Sequence, residues 1–500
     1  MEGLFSMLAS GFSVALLPRS ILAMIIGVFL GTIFGALPGL SATTGMAMLL
    51  PIAYQLDLNT GLLLLAGIYA GALYGGSISA ILLGIPGTAA ALPTTFDGFP
   101  LSKAGRGNEA LLCGLYGSSF GGVFSALVLM FLTPVVSSIA IKLGMPELFA
   151  LGLWGIAIVS SVVGDDWVKG LFAAATGLLI ATVGADPVNG STRFTFGNFY
   201  LIGGFALVPL ILGMLAIPRV YGMIESFRES DEAYFQAAKE RRFFLSLKYL
   251  AKSWFLLLRS AVIGAFVGIA PAAGPTIASF MSYNAAKTAS TEPDSFGKGN
   301  PQGVLAAECA NNAAVGGSLV LTLSLGIPGS TAAAILMSAL IMRGVQPGPM
   351  LLKNNASVVY TFFAGFLLVN ILVFLIGHFF VQAGHYVLKT PAKILAPVII
   401  VICVIGAFSE SNNMFGVYVA VAASAIAYLF EKAKIPVAPL LLGVVLGNML
   451  ETDFWASYAI TYGKLWTVFK RPMFLIIFAL AVVTLIMPVI RKRAKKKDSN

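Results

Sequence analysis

The chain reads as a succession of apolar runs, most of them close to charge-free, separated by short polar intervals. A run of about 20 such residues crosses roughly 30 Å of hydrocarbon as a helix. The runs are continuous rather than alternating, which predicts helices and excludes a β-barrel. In the first half their cores fall at 20–37, 60–84, 110–135, 147–163, 168–184 and 199–217. In the second half they fall at 254–270, 304–326, 330–342, 357–383, 393–409, 414–430, 436–450 and 472–490. Several are too short, or too interrupted by Gly and Pro, to span simply, so the expectation is roughly 10–14 membrane-embedded helices.

Composition sharpens this picture. Hydrophobic residues make up 58% of the 500 positions and charged ones only 10%. A soluble domain carries about a quarter charged residues, so the expectation is one integral membrane domain over residues 1–500. The longest polar stretch, 218–252, holds seven basic residues among five acidic ones, and the tail 491–500 is more basic still. Basic flanks stay in the cytoplasm, which places the central loop and the C-terminus inside, against lipid rather than nucleic acid. Met1 to Ser10 lacks the basic start of a cleavable leader. Cys113, Cys309 and Cys403 have no metal-like spacing, and a structural role is expected for His378 and His385. No phosphate-binding loop is present to hydrolyse ATP, and the lone Asp165-Asp166 pair lacks the second motif of an aspartyl protease.

Two stretches echo each other in order. Gly31 and Gly264, Gly35 and Gly268, and Pro38 and Pro271 are each 233 positions apart. Gly75-Gly76-Ser77 matches Gly316-Gly317-Ser318 at 241, and Gly84-Ile85-Pro86-Gly87-Thr88 matches Gly326-Ile327-Pro328-Gly329-Ser330 at 242. The expectation is two structural repeats, 20–217 and 253–490, joined by the basic loop and inverted in the membrane. Corresponding Gly/Pro interruptions mark the binding region of secondary transporters. A helix broken there leaves carbonyls on one side and N–H groups on the other, so the break must line a polar cavity or hold a ligand. Carbonyl ends suit Na⁺ and the positive half-helix starts suit carboxylates. Gly27, Gly31 and Gly35 also fit plain close packing.

Hydroxyls gather beside the breaks. Ser41, Thr43 and Thr44 follow the first, Ser77 and Ser79 precede the second, and Thr88, Thr94 and Thr95 follow it; Ser318, Ser330 and Thr331 flank the last. Any one of them can instead bond its own helix. Glu308 and Asn312 share a helical face with Asn311 beside them, a set that suits a cation or proton; the other reading is a solvated Glu308 at the helix mouth. Asp97 and Arg343, 246 apart, are either solvated loop charges or a gate pair. No arginine lies inside an apolar segment near the breaks, so recognition of a carboxylate is expected to rest on half-helix starts, hydroxyls and amides.

Gly35-Ala-Leu-Pro38-Gly39-Leu-Ser41, the block Tyr69 to Thr88, and Glu308-Cys309-Ala310-Asn311-Asn312 running on to Ser330 resemble the TctA family, the large membrane subunit of bacterial tripartite tricarboxylate transporters. The resemblance spans about residues 20–450. It implies a non-enzymatic, multi-pass permease of the bacterial inner membrane, importing organic carboxylates by symport with Na⁺ or H⁺. It further implies a small four-helix membrane subunit and a periplasmic solute-binding protein as partners, with no cofactor and no metal beyond a transported Na⁺. A stand-alone carrier or exporter of organic anions is the alternative. The expected substrate-binding residues are Pro38, Gly39, Ser41, Thr43, Ser77, Gly84, Pro86, Gly87, Thr88, Gly326, Pro328, Gly329, Ser330 and Thr331. Cation coupling is expected of Glu308, Asn311, Asn312 and Ser318.

Overall fold

Apolar runs of this length in a chain so poor in charge fold as helices, and the computed structural model is almost wholly helical. It describes residues 2–37, 40–162, 167–186, 190–226, 244, 245, 247–270, 274–387 and 392–498. The helices of the first half are α1 (Glu2–Ala15), α2 (Pro18–Ala36), α3 (Ala42–Gln55), α4 (Leu58–Leu83), α5 (Leu92–Leu101), α6 (Gly107–Ala140), α7 (Met145–Val162), α8 (Trp167–Ala181), α9 (Leu207–Ile211) and α10 (Ile217–Ser226). Those of the second half are α11 (Leu247–Ile269), α12 (Gly274–Thr288), α13 (Pro301–Leu325), α14 (Thr331–Met342), α15 (Leu351–Asn354), α16 (Ala356–Val387), α17 (Ala392–Ser411), α18 (Met414–Lys432), α19 (Val437–Ile460) and α20 (Pro472–Asp498). A two-residue antiparallel pairing of Gly184–Ala185 with Thr192–Arg193 is the strand content among the described residues. Among those residues eight helices are long and apolar enough to cross a membrane, with seven shorter apolar ones beside them.

The run expected at 199–217 starts late: Phe199–Leu201 forms a single 3₁₀ turn, and the helix begins at Leu207 and continues through a π turn, Leu212–Ala216, into α10. Much of the central loop, 227–243, lies outside the described residues, but 218–226, expected as loop, is helical. Five further helices, α1, α3, α5, α12 and α15, lie outside the expected apolar cores; at 14, 14, 10, 15 and 4 residues each is too short to give a membrane-length apolar run.

The core is built on α4 and α13. Neither has a single apolar stripe, as befits a helix enclosed on all sides, and their spanning windows are wholly buried. α2 lies against α4, and α11 against α13, at the separation of backbone contact. A Cβ on Gly31 would sit 2.5 Å from the Ile68 carbonyl oxygen and one on Gly35 2.0 Å from that of Ala72. In the second half a Cβ on Gly264 would meet the Ala310 oxygen at 2.4 Å, and one on Gly268 the Ala314 oxygen at 2.1 Å. Ile68 and Ala310, and Ala72 and Ala314, are themselves 242 apart, so each contact of one half has a counterpart in the other. Packing of small residues is what brings membrane helices this close, so the plain-packing reading of Gly31 and Gly35 holds. α13 meets α6 in the same way, a Cβ on Gly121 falling 2.0 Å from the Cys309 oxygen.

Gly268→Leu is expected to cost at least about 3 kcal/mol or to prevent folding, because the clash is with backbone that cannot swing aside. Gly203, with nothing within 4 Å of its would-be Cβ, accepts Ala without loss; thermal unfolding of the two purified variants in detergent checks the contrast.

Candidate functional site

Each of the two central helices ends at a glycine in the left-handed region, Gly84 at φ 72° and Gly326 at φ 70°, a conformation open to glycine and costly for other residues. Beyond each, an extended stretch leads into a half-helix. Ser330 starts α14: its backbone is extended and its hydroxyl oxygen accepts the Ala333 N–H at 3.1 Å. Ser41 starts α3 likewise, accepting from the Thr44 N–H at 3.2 Å. Both satisfy one of the orphaned N–H groups of a helix start. Gly87 is held by its N–H to the Gly76 carbonyl at 3.3 Å, and Gly329 by its N–H to the Thr322 hydroxyl at 3.4 Å.

All four interruptions open on one cavity of about 670 Å³. Its wall takes Ser41 and Thr43 from the first, Pro86, Gly87 and Thr88 from the second, Gly274, Pro275 and Thr276 from the third, and Pro328, Ser330 and Thr331 from the fourth. Eight of the expected substrate residues therefore meet, although they come from stretches far apart in the chain. Gly84, Gly326 and Gly329 shape the breaks without lining the cavity; Gly329 packs on Ser318, whose Cα lies 2.7 Å from its would-be Cβ. Ser77 is elsewhere: it is fully buried and donates to the Tyr74 carbonyl at 2.7 Å on its own helix. Pro38 and Gly39 lie outside the described residues.

Three polar side chains of the cavity wall, Tyr69, Arg219 and Thr276, were not among the expected substrate residues. Tyr69 sits at the cavity wall with its hydroxyl 2.8 Å from Ser330 Oγ; it was passed over because its neighbours are small and apolar. Thr276 stands 233 after Thr43, so the repeat itself carried the signal. Arg219 corrects the expectation of a site without arginine. It was counted with the basic loop, yet α10 carries it to the cavity wall.

The residues expected for cation coupling separate. Glu308 is fully buried, which removes the reading of a solvated helix mouth. Its carboxylate accepts from the Thr94 hydroxyl at 2.5 Å, the Ser118 hydroxyl at 3.1 Å and Asn311 Nδ2 at 3.4 Å. The Asn311 Oδ1 beside it is buried without a partner. Helices α5, α6 and α13 thus bring five side-chain oxygens into one buried place, with no cation paired to the carboxylate among the described residues. Asn312 donates instead to the Glu308 backbone carbonyl at 3.1 Å. Ser318, ten residues and so about 15 Å further along the helix, joins Ser330 at 3.2 Å and belongs to the cavity end.

Asp97 and Arg343 form neither a gate pair nor, for Asp97, a solvated charge. Asp97 is fully buried. One of its oxygens accepts the N–H groups of Gly297, Gly299 and Asn300 at 2.8–2.9 Å, and the other accepts the Tyr283 hydroxyl at 2.8 Å. It ties α5 to the turn between α12 and α13. Arg343, at the end of α14, donates to the carbonyls of Tyr54 and Leu56 and lies over the Tyr54 ring, so it ties α14 to the turn between α3 and α4. His378 bonds its own helix at the Phe374 carbonyl, 2.8 Å away.

A multi-pass helical membrane protein with broken helices converging on a hydroxyl-lined cavity is a membrane transport protein. The chain belongs to the tripartite tricarboxylate transporter TctA family, which its residues 21–442 match. It is thus the membrane component of such a transporter, and the tripartite organisation brings partner subunits with it. It is 35% identical over 501 residues to an uncharacterized 52.8 kDa protein of the TAR-I ttuC' 3' region of Agrobacterium vitis, covering 100% of this chain and 99% of that one. A second uncharacterized protein, from the TAR-II ttuC' 3' region of the same organism, is 31% identical over 235 residues, 47% of this chain and 97% of its own. No solved structure matches.

Asp97→Ala takes the acceptor from three part-buried N–H groups and the Tyr283 hydroxyl and is expected to cost about 2–3 kcal/mol. Asp97→Asn, which keeps an acceptor oxygen, is expected to cost less; chemical denaturation of the two variants orders them.

Proposed function

We propose that this chain is the permease of a secondary importer of organic carboxylates, driven by a Na⁺ or H⁺ gradient and fed by a periplasmic solute-binding protein. The convergence of four helix interruptions on one cavity carries this reading. Half-helices α3, α12 and α14 begin at its wall, and the positive starts of helices attract carboxylates. A volume of about 670 Å³ lies within the usual range for small-molecule sites. The matched glycine contacts of the two halves support a pair of structural repeats, which we take to be inverted in the membrane as in other carriers with broken helices. The buried Glu308, with the oxygens of Thr94, Ser118 and Asn311, is the proposed coupling-ion site, because a lone carboxylate inside a membrane domain needs a cation or proton. A small four-helix subunit would complete the inner-membrane complex, with the basic C-terminus of this chain in the cytoplasm.

Uptake of radiolabelled citrate, succinate and benzoate into proteoliposomes holding the chain and its small partner tests this, with and without an imposed gradient and the binding protein. Accumulation that needs both supports the proposal, whereas accumulation without the binding protein supports the stand-alone carrier. Gly329→Leu is expected to abolish uptake while the protein still inserts, since its first side-chain carbon already collides with Ser318. Glu308→Gln is expected to lower gradient-driven accumulation by about tenfold or more, the effect of roughly 1.4 kcal/mol of lost coupling, with solute exchange at equal ion concentrations kept. Unchanged ion dependence in Glu308→Gln would remove the assignment.

A further inference from the structure

We propose that Arg219 is the residue that takes hold of a substrate carboxylate, and that Glu431 occupies it while the cavity is empty. This rests on the carboxylate-importer reading above and names the residue that reading lacks.

Among the described residues lining the cavity, Arg219 is the one charged side chain, and no acidic residue shares the wall with it. The remaining polar lining is backbone and the hydroxyls of serines, threonines and Tyr69. A wall with one cation and no anion selects a negative solute. The planar guanidinium presents a fork of N–H donors that matches a carboxylate in a way a hydroxyl or a lone helix start does not.

The pairing of Arg219 makes it available. Its terminal nitrogen stands 3.5 Å from a Glu431 oxygen, with the two side chains 45% and 35% exposed. A strong charge-assisted bond would be about 2.7–2.9 Å. A long, wet pair of this kind contributes little to stability, so exchanging the Glu431 carboxylate for one that also meets helix starts and hydroxyls is favourable. α10 and α18 are otherwise joined by Tyr221, whose hydroxyl is 3.0 Å from Ser424 Oγ and whose ring stacks edge-on to Tyr428 at 5.3 Å. The helix contact therefore survives release of the ion pair. Because the cation comes from α10 and the half-helix starts from other elements of the same cavity wall, a solute bearing two or more carboxylates offers a group for each, and a monocarboxylate for one.

Arg219→Gln and Glu431→Gln separate this from a purely structural ion pair, because the proposal moves them in opposite directions. The readout is the citrate concentration that half-maximally raises the thermal midpoint of the purified chain, together with uptake in the reconstituted complex. Arg219→Gln is expected to raise that concentration at least about tenfold and to narrow the preference for citrate over benzoate. Arg219→Lys is expected to recover part of the loss. Glu431→Gln, which removes the competing carboxylate, is expected to lower that concentration by a few-fold. Equal loss in both variants, or citrate handling by Arg219→Gln equal to that of the parent chain, would overturn the assignment while leaving the importer reading intact. A parent complex that takes up none of the acids would overturn both.

Discussion

A peptide group inside a membrane domain has no water to fall back on, and every helix end placed there must find partners for its orphaned N–H and C=O groups. That constraint organises this protein. Ser41 and Ser330 cap the starts of α3 and α14, and Gly84 and Gly326 turn the chain at the ends of α4 and α13. The N–H of Gly87 reaches back to Gly76 and that of Gly329 to Thr322. The four breaks meet at a shared cavity, so the geometry that makes them tolerable is also the geometry that opens a polar space inside the helix bundle.

Close packing makes that arrangement rigid. α2 and α4, and α11 and α13, touch backbone to backbone through glycines whose replacement would drive a Cβ into a carbonyl. Dispersion across such a seam falls off steeply with separation, so the contact is an all-or-nothing one. The same closeness between α6 and α13 carries Ser118 to Glu308, while α5 brings Thr94 from the other side. A carboxylate with only hydroxyl and amide partners thus sits on a helix that also leads to one of the breaks. α13 holds both: Glu308 lies toward one end and Ser318, bonded to Ser330 at the cavity, toward the other.

The two charged residues after the half-helices show how equivalent positions take different chemistry. Asp97 gathers N–H groups from the turn before α13, and Arg343 donates to carbonyls of the turn before α4. Each fastens a half-helix of one half of the chain to a turn of the other, one as acceptor and one as donor. A carboxylate serves exposed N–H groups as a guanidinium serves exposed carbonyls, so either end of the peptide group can be latched. These cross-ties, with Tyr69 on Ser330, knit the two halves around the cavity.

Helical class, membrane residence, the positions of the breaks and the family were legible in the residues, because each is a local property: a run of apolar side chains, a Gly-Ile-Pro-Gly, a Ser where a helix starts. The pairing of Gly31 with Gly264 and of Thr43 with Thr276 was legible too, since a repeat is written along the chain. Short helices such as α3 and α12 were not, for at 14 and 15 residues they do not stand out as membrane-length apolar runs. Nor could composition show that Arg219 leaves the basic loop for the cavity, that Asp97 is buried, or that Glu308 meets a threonine 214 residues away. Those facts depend on which helix faces which. In a chain apolar on nearly every face, hydrophobic periodicity says little about that, and backbone contact between small residues decides it.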